Sequence, residues 1–286
     1  MIRTCLMLLF WTMLLPIAAF VSLWTIATDN IRLLYKVGMW GAFTGVRLAG
    51  VKVRTIGLEK LDPQRTYIFM SNHASNIDPP LLLPLIPRRT SVMAKKELFS
   101  YPILGKVMTL GALVPVDRGN REAGISAVRA AADVIRQGVN MTIYIEGKRS
   151  YDGKLLPFKK GPFYLAQETS VPVVPVSIAG THEIMPKTRF SIQPGVVTVT
   201  FHDPIEPSDF GTRECLMGKV RQQINQGLGE RYRELNSGTH SLEASKNSES
   251  NAKGMARADA NSEASPDAKL RNHTGSGAGD VSGLSR

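Results

Sequence analysis

The segment Tyr67-Ile68-Phe69-Met70-Ser71-Asn72-His73-Ala74-Ser75-Asn76-Ile77-Asp78-Pro79-Pro80, followed by Leu81-Leu82-Leu83, decides how this chain is read. Its apolar opening, Tyr67 to Met70, has the character of a short strand buried on both faces, and the leucines at its close read as the start of a helix. Between them a histidine leaves the carboxyl end of a strand, where α/β sheets gather their sites. Asp78 follows His73 by five residues, too far for neighbours on one straight helix face. A Ser- and Asn-rich turn entering a helix can nevertheless fold that carboxylate back onto the imidazole. An aspartate on one ring nitrogen fixes the tautomer and leaves the other nitrogen to take a proton from a bound hydroxyl. A plain loop hydrogen bond fits the same residues, so the decision passes to the rest of the chain.

Upstream, Thr4 through Thr28 carries no charged side chain and includes Leu6, Leu8, Leu9, Phe10, Trp11, Leu14, Leu15, Ile17, Phe20, Leu23, Trp24 and Ile26. The run reaches the roughly 20 residues needed to cross a bilayer core. Pro16 marks a kink or a re-entrant path. Arg3 precedes the run and Arg32, Lys36, Arg47, Lys52 and Arg54 follow it, a bias that assigns the remainder to the cytoplasmic face of a membrane. A signal peptide ending near Ile17-Ala18-Ala19 is the competing reading. Residues 31–50 mix Leu33, Trp40, Phe43 and Val46 with Arg32, Lys36 and Arg47, which suits either an interfacial amphipathic helix or a core helix.

Downstream, short β runs alternate with helical stretches. Strands are expected at 51–56, 67–71, 91–94, 112–116, 141–145, 173–178 and 196–201, and helices at 97–110, 121–137 and 161–169. The helix over 121–137 should bury Ile125, Val128, Ala132 and Ile135, with Asn120 capping it and Gly138 ending it. A last amphipathic helix from about Ser208 carries Leu216, Val220, Ile224 and Leu228. This alternation predicts an α/β domain over 51–236 with a mixed, largely parallel central sheet flanked by helices, preceded by an N-terminal membrane-associated helical segment over 1–50. Residues 237–286 have no aromatic side chain and balance six basic with six acidic residues, the composition of a disordered tail. The net charge of +11 therefore belongs to the first 236 residues. It points to an anionic partner: nucleic acid, a phospholipid surface or a phosphorylated substrate. Two cysteines, Cys5 and Cys215, lack metal-ligand spacing and make no disulfide framework, as in a reducing compartment.

Three further stretches carry chemistry. Gly111 to Val116 is an apolar strand ending in Asp117-Arg118, a guanidinium placed either to grip a phosphate or to pair with its neighbour on the surface. Tyr144-Ile145-Glu146-Gly147-Lys148-Arg149-Ser150 delivers an acid, a glycine, two cations and a hydroxyl at a strand's exit, types suited to a polyol phosphate. Lys154, Lys159 and Lys160 add positive potential or form a solvated loop. Val171 to Ile178 is a buried strand broken by Pro175, which marks an edge or a place where the backbone turns aside and could open an apolar slot.

Together these four blocks, in this order, resemble the glycerophospholipid acyltransferase family, over roughly residues 50–205. Asn72, His73 and Asp78 match its NHxxxxD block, Gly111 to Arg118 its second, Glu146 to Ser150 its EGTRS block, and Val171-Pro172 to Pro175-Val176 its fourth. The resemblance implies that His73 is a general base and Asp78 its orienter. It implies that Arg118, Glu146, Gly147, Lys148, Arg149 and Ser150 bind the glycerol-phosphate part of the acceptor and that Pro175 lies near the acyl donor. Lys148 stands where the family usually has Thr, and Val114-Pro115-Val116 replaces the Phe-containing ending of the second block. The implied reaction moves an acyl group from acyl-CoA or acyl-acyl carrier protein to lysophosphatidic acid at a membrane, without metal or other cofactor. Other lysolipid acceptors, glycerol 3-phosphate or an amino-acid lipid remain open. A non-catalytic binder of anionic lipid has no use for an oriented base, and nothing resembles a nucleic-acid motif.

Overall fold

Strand β2, Ile68–Ser71, lies near the middle of a seven-stranded sheet and explains the arrangement around it. All four of its residues are buried, with Ile68 and Met70 in one apolar cluster and Phe69 in another on the opposite face. The computed structural model describes residues 2–117 and 121–229; the expected Asn120 cap and the expected disordered tail over 237–286 fall outside the described residues. In chain order the strands are β1 (Val51–Ile56), β2, β3 (Thr90–Lys95), β4 (Val114–Val116), β5 (Asn140–Tyr144), β6 (Val173–Ala179) and β7 (Gly195–Phe201). Their order across the sheet is β1-β7-β6-β2-β5-β3-β4. Every neighbouring pair is parallel except β6 with β7, so the sheet is mixed and largely parallel.

The helices are α1 (Ile2–Thr28), α2 (Arg32–Leu48), α3 (Asp78–Leu82), α4 (Pro102–Leu110), α5 (Arg121–Arg136), α6 (Gly161–Thr169), α7 (Thr181–Ile184) and α8 (Arg213–Gly227). Helices α5, α6 and α8 pack with Ile68, Met70, Met141 and Ile143 on one face; α2 and α3 pack with Phe69, Val174, Val176 and β7 on the other.

Several local expectations need correction. The helix expected over 97–110 is broken, because Pro102 forces Tyr101 into extended backbone (φ −74°, ψ 125°). Lys96–Ser100 forms a separate 3-10 turn ahead of α4. The last helix starts at Arg213 rather than Ser208, where Thr212 accepts the Cys215 amide at 3.2 Å. On α5 the stripe is rotated: Ala127, Ala131, Ala132 and Ile135 are buried and Val128 packs at the margin, whereas Ile125 is exposed. Gly138 does end this helix, at φ +76° with its amide on Ile135 O.

Pro175 does not mark an edge. Strand β6 lies between β7 and β2, and Pro175 is paired with Met70. Its missing N–H costs the sheet nothing on the β2 side, because the Ile68 amide reaches Pro172 O there. On the other side His202 N–H donates to Pro175 O, and pairing resumes only at Val173 with Ile205. The irregularity sits in the neighbouring chain at residues 202–204, not in β6.

The N-terminal pair forms a hairpin against the sheet. Leu14 and Trp11 of α1 occupy the space above Gly41 and Gly45 of α2, and Trp11 Nε1 donates to Gly41 O at 3.1 Å. Near its start α2 meets β3, where Thr90 N–H donates to Tyr35 Oη at 3.2 Å; near its end Val46 enters the core beside β1. Those two strand starts lie at opposite ends of the sheet and five strand places apart, so α2 crosses the face obliquely. The first turn of α1 is tied to Ile192, just ahead of β7, through the Ile192 amide on Thr4 Oγ1 at 3.2 Å. Helix α1, about 40 Å long at 1.5 Å per residue, thus folds back along α2. It is long and apolar enough to cross a membrane, and Leu6, Leu8, Leu9, Met13, Leu15, Ile17, Phe20, Leu23 and Trp24 face outward.

Candidate active site

Strands β2, β5 and β6 are parallel neighbours, so the segments that follow them emerge at the same end of the sheet. After β2 the chain turns sharply. The Asn72 side chain fixes the turn by bonding Ile178 twice, accepting its amide at 2.8 Å and donating to its carbonyl at 2.9 Å. A side chain thereby replaces the next rung of the β2–β6 ladder and frees the backbone to carry His73 out of the sheet.

Asp78 sits at the start of α3, fully buried. Its Oδ2 accepts from Ala74 N and Ser75 N, each at 2.8 Å, and lies 2.7 Å from His73 Nδ1. The two amides hold the carboxylate in place. With Nδ1–H directed at Asp78, the proton-free nitrogen of a neutral imidazole is Nε2, and no described residue bonds it. The ring is also stacked on Tyr144, with centroids 4.3 Å apart and planes at 28°. His73 is 16% exposed, which leaves it reachable. Ser75 Oγ donates to Met185 O at 2.6 Å and pins the segment after α7 to the same turn.

Glu146 follows β5 and turns inward. Its Oε1 accepts the His73 amide and its Oε2 the Leu156 amide, both at 2.8 Å. Burial raises its pKa to about 7, against the pull of those two amides and of nearby Arg221. Gly147 adopts φ +70°, where a Cβ would crowd the Lys159 side chain. Ser150 N–H donates to His73 O at 2.9 Å and Ser150 Oγ donates to Asp152 Oδ1 at 3.0 Å. Lys148 is exposed and Arg149 half-buried.

The structure therefore brings His73, Asp78, Glu146 and Ser150 together and keeps Lys148 and Arg149 on the adjoining loop. Pro175 is elsewhere: it is buried within β6, level with Met70 rather than with the turn. Arg118 lies outside the described residues. The strand leading to it, β4, stands three places from β2, about 14 Å across the sheet. Sequence reasoning gave no role to Tyr144 or Arg221. Tyr144 precedes Glu146 by two residues and alternation puts both on one side of β5, a signal that was present in the sequence. Arg221, on α8, donates to Leu156 O at 3.2 Å and packs over Phe158, a long-range contact with no local signature.

A buried carboxylate orienting a reachable histidine at the carboxyl end of a largely parallel sheet defines an acid–base site of the α/β class. The family model for acyltransferases matches residues 52–179. The chain is 35% identical over 174 residues to the 1-acyl-sn-glycerol-3-phosphate acyltransferase of Cocos nucifera, covering 60% of this chain and 56% of that protein. It is 30% identical over 195 residues to 1-acyl-sn-glycerol-3-phosphate acyltransferase alpha of Mus musculus, covering 64% of this chain and 68% of that protein. The crystal structure of the 1-acyl-sn-glycerophosphate (LPA) acyltransferase PlsC from Thermotoga maritima superposes with a TM-score of 0.65 at 28% identity, over 79% of this chain and 95% of that one. The chain belongs to this acyltransferase family. Its match spans somewhat over half the length of the plant relatives, 56% in Cocos nucifera and 57% in Limnanthes douglasii.

Proposed function

We propose that this chain transfers a fatty acyl group from acyl-CoA or acyl-acyl carrier protein to the sn-2 hydroxyl of 1-acylglycerol 3-phosphate, forming phosphatidate. The observation that carries the reading is His73 Nδ1 held 2.7 Å from Oδ2 of a fully buried Asp78, an oxygen itself fixed by two amides. His73 Nε2 takes the hydroxyl proton as the oxygen attacks the thioester carbonyl. The resulting imidazolium is stabilised by Asp78, the tetrahedral adduct expels thiolate, and the proton returns to that sulfur. The thioester supplies the driving force, so the scheme uses no further cofactor.

Arg118, Lys148 and Arg149 supply charge to the acceptor phosphate in this reading. Gly147 and Ser150 shape the loop beside it, and Glu146 braces that loop against the His73 backbone. Pro175, buried within β6, takes no direct part in this reading. The outward apolar face of α1 lies in the surface of a bilayer, beside which the domain meets its lipid acceptor and product, with the soluble donor arriving from the cytoplasm. The test is transfer of labelled acyl groups by detergent-purified full-length protein to a panel of lysolipids with and without a free phosphate. Preference for lysophosphatidate is expected; transfer favouring another head group would overturn the acceptor assignment.

A further inference from the structure

Strands β5 and β6 flank β2 on either side, and the segments after them close around the His73 turn. Each segment is pinned to that turn by a separate hydrogen bond. After β5, Ser150 N–H reaches His73 O at 2.9 Å, which places Tyr151 one residue away. After β6 and α7, Met185 O accepts from Ser75 Oγ at 2.6 Å, which places Lys187 two residues away. The two segments then meet: Lys187 Nζ stands 3.5 Å from the centroid of the Tyr151 ring. An aromatic face holds an ammonium in position without cancelling its charge. Tyr151 is 66% exposed, so the pair lies at the surface of the site and not in the core. The Lys187 ammonium holds the Tyr151 hydroxyl below its ordinary pKa, and the charges of Arg149 and Lys148 add a little to the effect. One cation, Lys187, thus stands on a phenol beside the turn that carries the base.

We propose that Lys187 and Tyr151 form the outer wall of a substrate-phosphate pocket, with Lys187 the cation that takes a phosphomonoester. Lys187 lies outside all four sequence blocks that mark the family. A phosphomonoester carries close to two negative charges at neutral pH and offers three acceptor oxygens, which suits a compact ammonium with three donors. The proposal rests on the reaction assigned above, in which two substrates carry this group: the lysolipid acceptor and, at its 3′-phosphate, acyl-CoA. Lys187 approaches from the strand next to β2, whereas β4 delivers its segment from the far edge of the sheet.

The experiment measures binding without turnover. Full-length protein in detergent, with no acyl donor present, is titrated calorimetrically with a short-chain lysophosphatidate and with the matching phosphate-free monoacylglycerol. In parallel, with no acceptor, it is titrated with CoA and 3′-dephospho-CoA. Lys187→Met is expected to weaken the phosphorylated ligand of one pair by about tenfold or more, the scale of a lost charge-assisted hydrogen bond, and to leave its phosphate-free counterpart unchanged. Weakening confined to lysophosphatidate assigns the pocket to the acceptor; weakening confined to CoA assigns it to the donor. Lys187→Arg should retain most of the affinity. In turnover the Met variant should raise KM for the same substrate while kcat stays within about twofold. Affinities within twofold for both phosphorylated ligands, or equal weakening of a phosphorylated ligand and its phosphate-free partner, would overturn the proposal. If phosphate binding depends on Lys187 but the unmodified protein transfers no acyl group, the assigned reaction fails and the pocket stands.

Discussion

At the scale of single residues the site is a problem in holding one imidazole still. Asp78 Oδ2 accepts from two backbone amides and faces His73 Nδ1, so Asp78→Asn would place an amide group where three donors converge. We expect at least a hundredfold loss of kcat in steady-state assays, together with a stability loss of about 1–3 kcal/mol by chemical denaturation. Glu146 gives a pH signature. Its folded pKa of about 7 lies above the ordinary 4.5, so the folded state binds more protons between those values. The stability it contributes is full below pH 4.5 and is lost as pH rises through 7; Glu146→Gln should flatten that part of the unfolding midpoint's pH dependence. His202 has the opposite sign. Burial lowers its pKa to about 4 from 6.5, so its contribution is full above pH 6.5 and lost as pH falls toward 4, a slope that His202→Gln should remove. The His73–Asp78 pair was legible from spacing because a turn brings residues five apart together. The stacking of Tyr144 and the role of Asn72 as a substitute ladder rung were not read, since each depends on which strand lies next to β2.

At the scale of elements, seven strands were legible because buried strands of a largely parallel sheet are continuous apolar runs, and each was placed within about two residues. Errors arose where one local rule was set aside for another. The helical periodicity continues through Tyr101-Pro102, but proline disfavours helical backbone at the residue before it. The rule that proline avoids sheet interiors holds where the neighbour on its N–H side is regular; for Pro175 that neighbour is irregular at residues 202–204. The α5 stripe was turned by about one position, so Ile125 faces water. Ile125→Ser should therefore change stability by no more than about 0.5 kcal/mol in urea unfolding, whereas Ile135→Ala should cost about 2–5 kcal/mol. Helix α8 is tied to β6 where Ser177 Oγ donates to Ile224 O at 2.8 Å and meets His202 Nε2 at 2.7 Å. Burial of the imidazole at this tie is what lowers the pKa of His202.

At the scale of the whole molecule, the apolar run at the amino terminus was legible but its disposition was not. Sequence shows that 25 uncharged residues can cross a bilayer; only the structure shows α1 folded back on α2, through Leu14 and Trp11 over Gly41 and Gly45. In the proposed function α1 meets a bilayer with its outward face, so Phe20→Glu should reduce co-sedimentation with phospholipid vesicles while leaving the unfolding midpoint unchanged. The central claim is that this membrane-docked domain moves acyl groups by the base chemistry of His73. The most direct measurement is kcat/KM for acyl transfer to lysophosphatidate by unmodified protein and by His73→Ala, both shown folded by circular dichroism. A fall of about a hundred- to ten-thousandfold in the variant is predicted. Transfer by a folded His73→Ala at the unmodified rate would contradict the account.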